Sequence, residues 1–178
     1  GIELVRQLRA APRSPSALEQ RGELPLRVTH NDTKLNNVLL DERTMKGLCV
    51  IDLDTVMPGL SAHDFGDTVR FGANDCREDE EDQSRVHFLP QLYRVCERGF
   101  LSQAGEVLTA REKEVLRWGA KLMTLECGMR FLTDYLQGDV YFKIARPDQN
   151  LDRARTQFTL VQQMEACWDE LAPEESKL

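Results

Sequence analysis

His30-Asn-Asp-Thr-Lys-Leu-Asn-Asn-Val-Leu-Leu40 and the run Leu48-Cys-Val-Ile-Asp52 form the stretch that decides how this chain folds. The first part contains H-x-D-x-x-x-x-N, with Asp32 and Asn37 five residues apart, and Asp52 closes the next apolar run fifteen residues beyond Asn37. Leu26-Arg-Val-Thr29, Asn37-Val-Leu-Leu40 and Leu48 to Asp52 are three short β-rich runs separated by polar loops. Asp41 to Gly47, between the second and third, has the composition of a hairpin turn. This reading places Asp32 and Asn37 on a loop between strands and Asp52 at the end of a strand. Leu24 to Leu53 is the only β-rich part of the sequence.

Beyond about His63 the pattern becomes helical. Ser84 to Phe100 carries apolar residues at Val86, Leu89, Tyr93, Cys96 and Phe100, close to a period of 3.6. Thr109-Ala-Arg-Glu112 has capping-box spacing, which predicts one long helix from there to about Leu136. Another is expected from near Asn150 through Phe158, Val161 and Met164 to Trp168. The acidic run Arg77 to Asp82 reads as a solvated loop. Before Leu24, Ile2, Val5 and Leu8 suggest a short helix that leads into a Pro/Ser-containing connection. The expected architecture is α+β and mostly α: a small β-hairpin region carrying the polar loops, packed on a bundle of helices from about residue 64 to 171.

Composition narrows the function classes. The chain has 178 residues, 41% hydrophobic and 30% charged, the balance of a globular protein with a real core. No apolar run approaches the roughly 20 residues that span a bilayer, and the first residues lack the apolar centre of a signal peptide. A cytoplasmic protein with no membrane partner is therefore expected. The net charge of −7 is spread, with no basic stripe, so nucleic acid is not an expected partner. Cys49, Cys76, Cys96, Cys127 and Cys167 are odd in number and contain no C-x-x-C pair, which reads as reduced thiols. There is no G-x-S-x-G, no H-E-x-x-H and no Cys-x-Pro-x-Arg, so hydrolase and sulfatase chemistry has no residues to stand on.

The loop residues suit phosphoryl transfer. A hydroxyl attacking a γ-phosphate needs a carboxylate to orient it and take its proton, a role for Asp32. Negative charge gathers on the phosphoryl oxygens and calls for Mg²⁺, a hard cation that takes oxygen ligands, here from Asn37 and Asp52. Lys34, two residues after the base, is within reach of the transferring phosphate, and His30 is expected to brace the loop. Each residue alone has a plain alternative, since Asp and Asn commonly cap turns. The fixed spacing and the flanking strands argue for the combined reading.

The string His30 to Asn37, with Val50-Ile-Asp-Leu-Asp-Thr-Val-Met-Pro-Gly59 and His63-Asp-Phe-Gly-Asp67, resembles the aminoglycoside phosphotransferase and choline kinase superfamily, and within it the N-acetylhexosamine 1-kinases. The resemblance extends more weakly to Tyr141-Phe-Lys143 and Asn150-Leu-Asp-Arg-Ala-Arg-Thr-Gln157. It implies a protein-kinase-like C-terminal lobe and ATP-dependent phosphorylation of the anomeric hydroxyl of N-acetylglucosamine or N-acetylgalactosamine. In that frame Asp32 is the base, Asn37 and Asp52 hold the metal, and Arg130 and Tyr141 contact the sugar. Arg130 has a second reading, an ion-pair ladder with Glu126 and Asp134 on a helix face; Tyr141 could stack on a sugar or fill core. Asp54 either assists the metal or points outward. Asp64 either caps a helix or supports His30, and Arg70 either pairs with Asp64 or Asp67 or faces substrate.

A complete kinase grips ATP with a glycine-rich loop and a strand lysine. Only Gly1 and Gly22 and no lysine precede His30. Residues 1–23 are therefore expected to be a linker and helix remnant, and 24–178 a catalytic lobe whose partner is a missing N-terminal lobe, so that these residues alone turn over little. The competing functions are a kinase for choline, homoserine or an aminoglycoside, and a non-catalytic kinase-like binding domain.

Overall fold

The computed structural model describes residues 15–172. The helical pattern expected at Ile2, Val5 and Leu8 lies outside them. Among the described residues a short helix, Pro15–Gln20 (α1), precedes the strands Arg27–Thr29 (β1), Val38–Leu40 (β2), Gly47–Val50 (β3) and Met57–Gly59 (β4). The helices Ser61–Gly72 (α2), Pro90–Ala104 (α3), Ala110–Glu114 (α4), Leu116–Leu136 (α5) and Gln149–Ala166 (α6) follow. The class is α+β and mostly helical, as expected.

β2 and β3 form the expected antiparallel hairpin, with Val38 opposite Val50. Its turn is built by Asp41, whose Oδ1 accepts from the backbone of Arg43 and Thr44 and from the Thr44 hydroxyl. β1 pairs instead with β4, Arg27 opposite Gly59 and Thr29 opposite Met57, in a second two-stranded sheet. β4 was not expected. Met-Pro-Gly has poor strand propensity, and only the partner strand about thirty residues earlier makes it one.

α2 and α5 pack face to face through glycine. A Cβ added to Gly66 would strike the Gly119 carbonyl, and one added to Gly119 would strike the Ala62 carbonyl. Side chains fill the space on either side: Phe65, Val69, Tyr93, Leu116, Ala120, Leu160 and Met164 form the main core, and Leu18, Leu24, Leu60, Ala62 and Val115 a smaller one. Phe65 meets Tyr93 edge to face at 5.6 Å.

Two helix expectations need correction. The helix expected from Ser84 starts at Pro90, a residue with no N–H to lose at the first helical position. Residues 86–88 are held extended by a bridge from Phe88 to Asn74 and by Gln163, which donates to the Val86 carbonyl at 2.7 Å and accepts from Phe88 N at 2.6 Å. Val86 and Phe88 are core residues in a loop. The long helix from Thr109 is divided at Val115 (φ −93°, ψ 0°), whose side chain is drawn into the smaller core. The acidic run is not simply solvated either. Glu78 binds the Arg70 guanidinium, and Asp79 accepts from Gln149 at 2.9 Å.

The expected capping box is present, and its glutamate does more than cap. Glu112 is 2% exposed and accepts from Thr109 N, from Ser61 Oγ and from two nitrogens of Arg27, so one carboxylate ties α4 to α2 and β1. Burial alone would raise its pKa, but Arg27 and Thr109 outweigh that and hold it down to about 2, from 4.5. A carboxyl depressed on folding contributes stability that is present above its unfolded pKa and is lost as pH falls toward the folded one. Glu112→Gln should cost about 2 kcal/mol at pH 7, a figure reduced for the solvent access of Arg27. In urea denaturation the gap to wild type should close between about pH 5 and pH 2. A gap that did not change over that window would contradict the assignment.

Candidate active site

The loop after β1 turns sharply. Asn31 takes a left-handed conformation (φ 64°), which asparagine tolerates better than most residues, and its amide nitrogen donates to the Thr55 carbonyl at 2.9 Å. Asp52, after β3, is also left-handed (φ 65°, ψ 56°), a conformation that is costly for a residue with a Cβ. The two strained loops are laced together. His30 Nε2 donates to the Ile51 carbonyl at 3.1 Å, Thr55 Oγ1 to the His30 carbonyl at 2.6 Å, and Ile51 N to the Asn37 carbonyl at 2.9 Å. The hairpin and these bonds bring the end of the first loop, at Asn37, against the start of the second, at Asp52.

Within the first loop the polar groups have distinct tasks. Asn37 is 5% exposed, and its Nδ2 donates to both the backbone carbonyl and Oδ2 of Asp32, each at 2.8 Å. Two oxygen partners fix the amide nitrogen on that side and turn Oδ1 away, where no hydrogen bond from the described residues reaches it. Lys34 Nζ also binds Asp32 Oδ2, at 2.7 Å. Asp32 Oδ1 is left without a partner among the described residues. Burial works to raise the Asp32 carboxyl, but the bonds from Lys34 and Asn37 outweigh it and hold it below the ordinary range. Lys34 is raised, chiefly by its bond to Asp32.

Asp52 has an exposed carboxylate with no hydrogen bond or ion pair to the described residues. With the free Asn37 Oδ1 it offers hard oxygens from two side chains. Among the described residues, no group of three His, Cys, Asp or Glu side chains could hold a metal. That set does not fit a metal site formed by protein alone. It does fit Mg²⁺, which is commonly held by one or two carboxylates and completed by substrate phosphates and water. Asp54, next along, is exposed on a 3₁₀ turn with no partner among the described residues.

Asp64 sits in the first turn of α2 but does not cap it; the helix begins after Leu60. Its carboxylate accepts from His30 N at 2.9 Å and Asn31 N at 2.8 Å, and its backbone carbonyl accepts from Thr33 Oγ1. Asp64 thus supports the backbone that carries Asp32. Arg70 is 7% exposed and pairs with Asp67 and Glu78, not with Asp64. Burial opposes its charge, yet the neighbouring Cys127, Asp67 and Glu78 raise its pKa, and its charge in turn helps to keep Asp32 ionised.

Arg130 and Tyr141 come together. Both line an open pocket of about 720 Å³ with His63, Glu126, Met129, Thr133 and Phe142, and Arg130 lies 5.8 Å and 5.5 Å from the ring centres of Tyr141 and Phe142. The ladder reading fails on its second member, because Asp134 is 3% exposed and turned onto the loop that follows α5. Tyr141 is 73% exposed and does not fill core. His63, which lines the pocket, is the chain neighbour of Asp64.

The lacing roles of Asn31, Thr33 and Thr55 were missed by sequence reasoning, as was the place in the pocket of His63, read only as part of a motif, and of Glu126, read only as an ion-pair partner of Arg130. Asn31 alone carried a signal, an asparagine two residues before the end of a polar H-x-D-x loop. No helix among the described residues is long and apolar enough to cross a membrane.

Asp64→Ala should leave two loop amides unpaired and lower stability by about 2–3 kcal/mol, with Asp64→Asn intermediate. Urea denaturation measures it, and a change below about 0.5 kcal/mol would remove Asp64 from this role.

A sequence model of the phosphotransferase enzyme family matches residues 2–97. The match takes in both laced loops and α2, and it ends before Arg130 and Tyr141.

Proposed function

The chain belongs to the phosphotransferase enzyme family, and from that premise we propose that it phosphorylates the anomeric hydroxyl of an N-acetylhexosamine, with ATP as donor. The observation that carries the reading is the division of labour at Asp32 and Asn37: one carboxylate oxygen is held by Lys34 and Asn37 while the other stays free, and Asn37 turns its own oxygen outward. The free Asp32 Oδ1 would accept a hydrogen bond from an attacking hydroxyl. A carboxylate held this acidic orients the hydroxyl early and takes its proton late, which suits a loose phosphoryl-transfer transition state. Asn37 and Asp52 would hold Mg²⁺, which neutralises charge developing on the phosphoryl oxygens. Lys34 is Asp32's partner here and reaches a phosphate only by leaving it.

The acceptor class rests on the pocket. Its volume lies within the roughly 300–1,000 Å³ of small-molecule sites. Tyr141 offers an exposed ring face to a sugar, while Arg130, Glu126, Thr133 and His63 offer hydrogen bonds to hydroxyl and acetamido groups. A cationic acceptor such as choline or an aminoglycoside is disfavoured, because Arg130 already occupies the cation position over both aromatic rings.

Leu26, Val28, Leu39, Leu48, Val50 and Met57 leave the β region with an apolar surface, Val28 at 84% exposure. So much exposed apolar area around a polar loop is the kind of face a second body covers. We propose a nucleotide-holding lobe as that body.

The acceptor can be tested by saturation-transfer NMR with N-acetylglucosamine, N-acetylgalactosamine, choline, homoserine and kanamycin. The two N-acetylhexosamines should bind, and Tyr141→Ala and Arg130→Ala should each weaken them by tenfold or more. Binding of choline or kanamycin in their place would sink the sugar reading. Whatever phosphoryl transfer the chain supports with ATP and Mg²⁺ should fall about 10²–10⁴-fold in Asp32→Asn; an unchanged rate would remove Asp32 as the base.

A further inference from the structure

The segment after α5 turns on two consecutive left-handed residues, Gly138 (φ 91°) and Asp139 (φ 57°), and then presents Val140, Tyr141 and Phe142. It has little apolar anchorage, since Val140 and Tyr141 are 75% and 73% exposed. One carboxylate binds three successive backbone amides of it. Asp134 Oδ1 accepts from Val140 N at 3.0 Å and Tyr141 N at 2.8 Å, and Oδ2 accepts from Phe142 N at 2.9 Å and from Asn150 Nδ2 at 2.9 Å. Four bonds fill the roughly four lone-pair positions of a carboxylate, so Asp134 has none to offer a ligand although it borders the pocket. Asn150, on α6 and fully buried, uses both amide hydrogens and its oxygen: its Nδ2 also donates to Asp139 Oδ1 at 2.8 Å, and its Oδ1 accepts from Arg153 at 2.9 Å.

We propose that Asp134 and Asn150 form a latch that sets the position of Tyr141 and Phe142 over Arg130, and so determines acceptor binding without touching the acceptor. They are positioning residues. The inference rests on reading the pocket as the acceptor site, and it adds that the geometry of this site is imposed from α6 through a buried amide. Phe142 is held from its other side as well, its ring 4.6 Å from that of Phe131, over which Arg153 lies. The carboxylate is kept ionised by the three backbone donors despite its burial. An asparagine at 134 would aim an NH₂ group at one set of those donors and lose the arrangement.

The test uses the full chain in four forms: wild type, Asp134→Asn, Asn150→Ala and Tyr141→Ala. Three quantities are measured: N-acetylglucosamine affinity, hydrogen exchange of the 140–142 amides, and Mn²⁺ affinity. The latch predicts that Asp134→Asn weakens N-acetylglucosamine by at least tenfold and speeds exchange at those amides at least tenfold, while Mn²⁺ affinity stays within twofold. Asn150→Ala, which keeps the carboxylate, should do the same to at least threefold and serves if Asp134→Asn fails to fold. Normal sugar affinity in the latch variants, alongside a loss in Tyr141→Ala, would overturn the latch and leave the pocket reading standing. Unchanged exchange at the three amides would overturn it too. Absence of sugar binding in wild type, or full binding by Tyr141→Ala, would overturn the pocket reading and the latch with it.

Discussion

Two hydrogen bonds from the backbone of His30 and Asn31 to the carboxylate of Asp64 couple the helical body to the loop that carries Asp32. The β region has little core of its own; its side chains are mostly exposed, and its two sheets contain only two strands each. Paired strands that short are marginal without support. Support comes from α2, which is fixed in turn by its glycine contact with α5. The position of the loop is therefore set from a helix pair by Asp64, through its carboxylate and its backbone carbonyl, and strain at Asn31 and Asp52 can persist because the surrounding bonds determine it.

The same device recurs. Glu112 joins β1, α2 and α4, and Asp134 joins α5, the segment after it and α6. Glu112 and Asp134 are carboxylates that accept from several donors on different segments, and each stays ionised because those donors outweigh burial. For a chain with net charge −7, this absorbs part of the acidic excess into structure. The run from Arg77 to Asp82 shows it at larger scale, since Glu78 and Asp79 neutralise Arg70 and Arg146 instead of facing solvent freely.

What was legible in the sequence followed from local chemistry. The β2–β3 hairpin, the capping box at Thr109 and the helix near Asn150 depend on neighbours within a few residues, and the H-x-D-x-x-x-x-N spacing fixed attention on the loop that the structure laces to Asp52. What was not legible depended on distant partners. Met57-Pro-Gly59 is a strand only because β1 lies beside it, and Val86 to Phe88, ahead of Pro90 at the helix start, are held extended by Gln163 and by a bridge to Asn74. Asp134 looked like one rung of an Arg130 ladder because i,i+4 spacing is visible in sequence, whereas three amides six to eight residues onward are not. The family match stops at residue 97, so the loops rest on family and geometry together and the pocket on geometry and resemblance.

The central proposal is that Asn37 and Asp52 present the metal-binding face of a phosphoryl-transfer loop. Paramagnetic broadening by Mn²⁺, read across the amide NMR spectrum of the chain, tests it most directly because it detects weak binding without turnover. The account predicts broadening centred on residues 32–37 and 51–54 that disappears in Asp52→Asn. Broadening centred on the acidic segment 75–82, with the two loops unaffected, would contradict it.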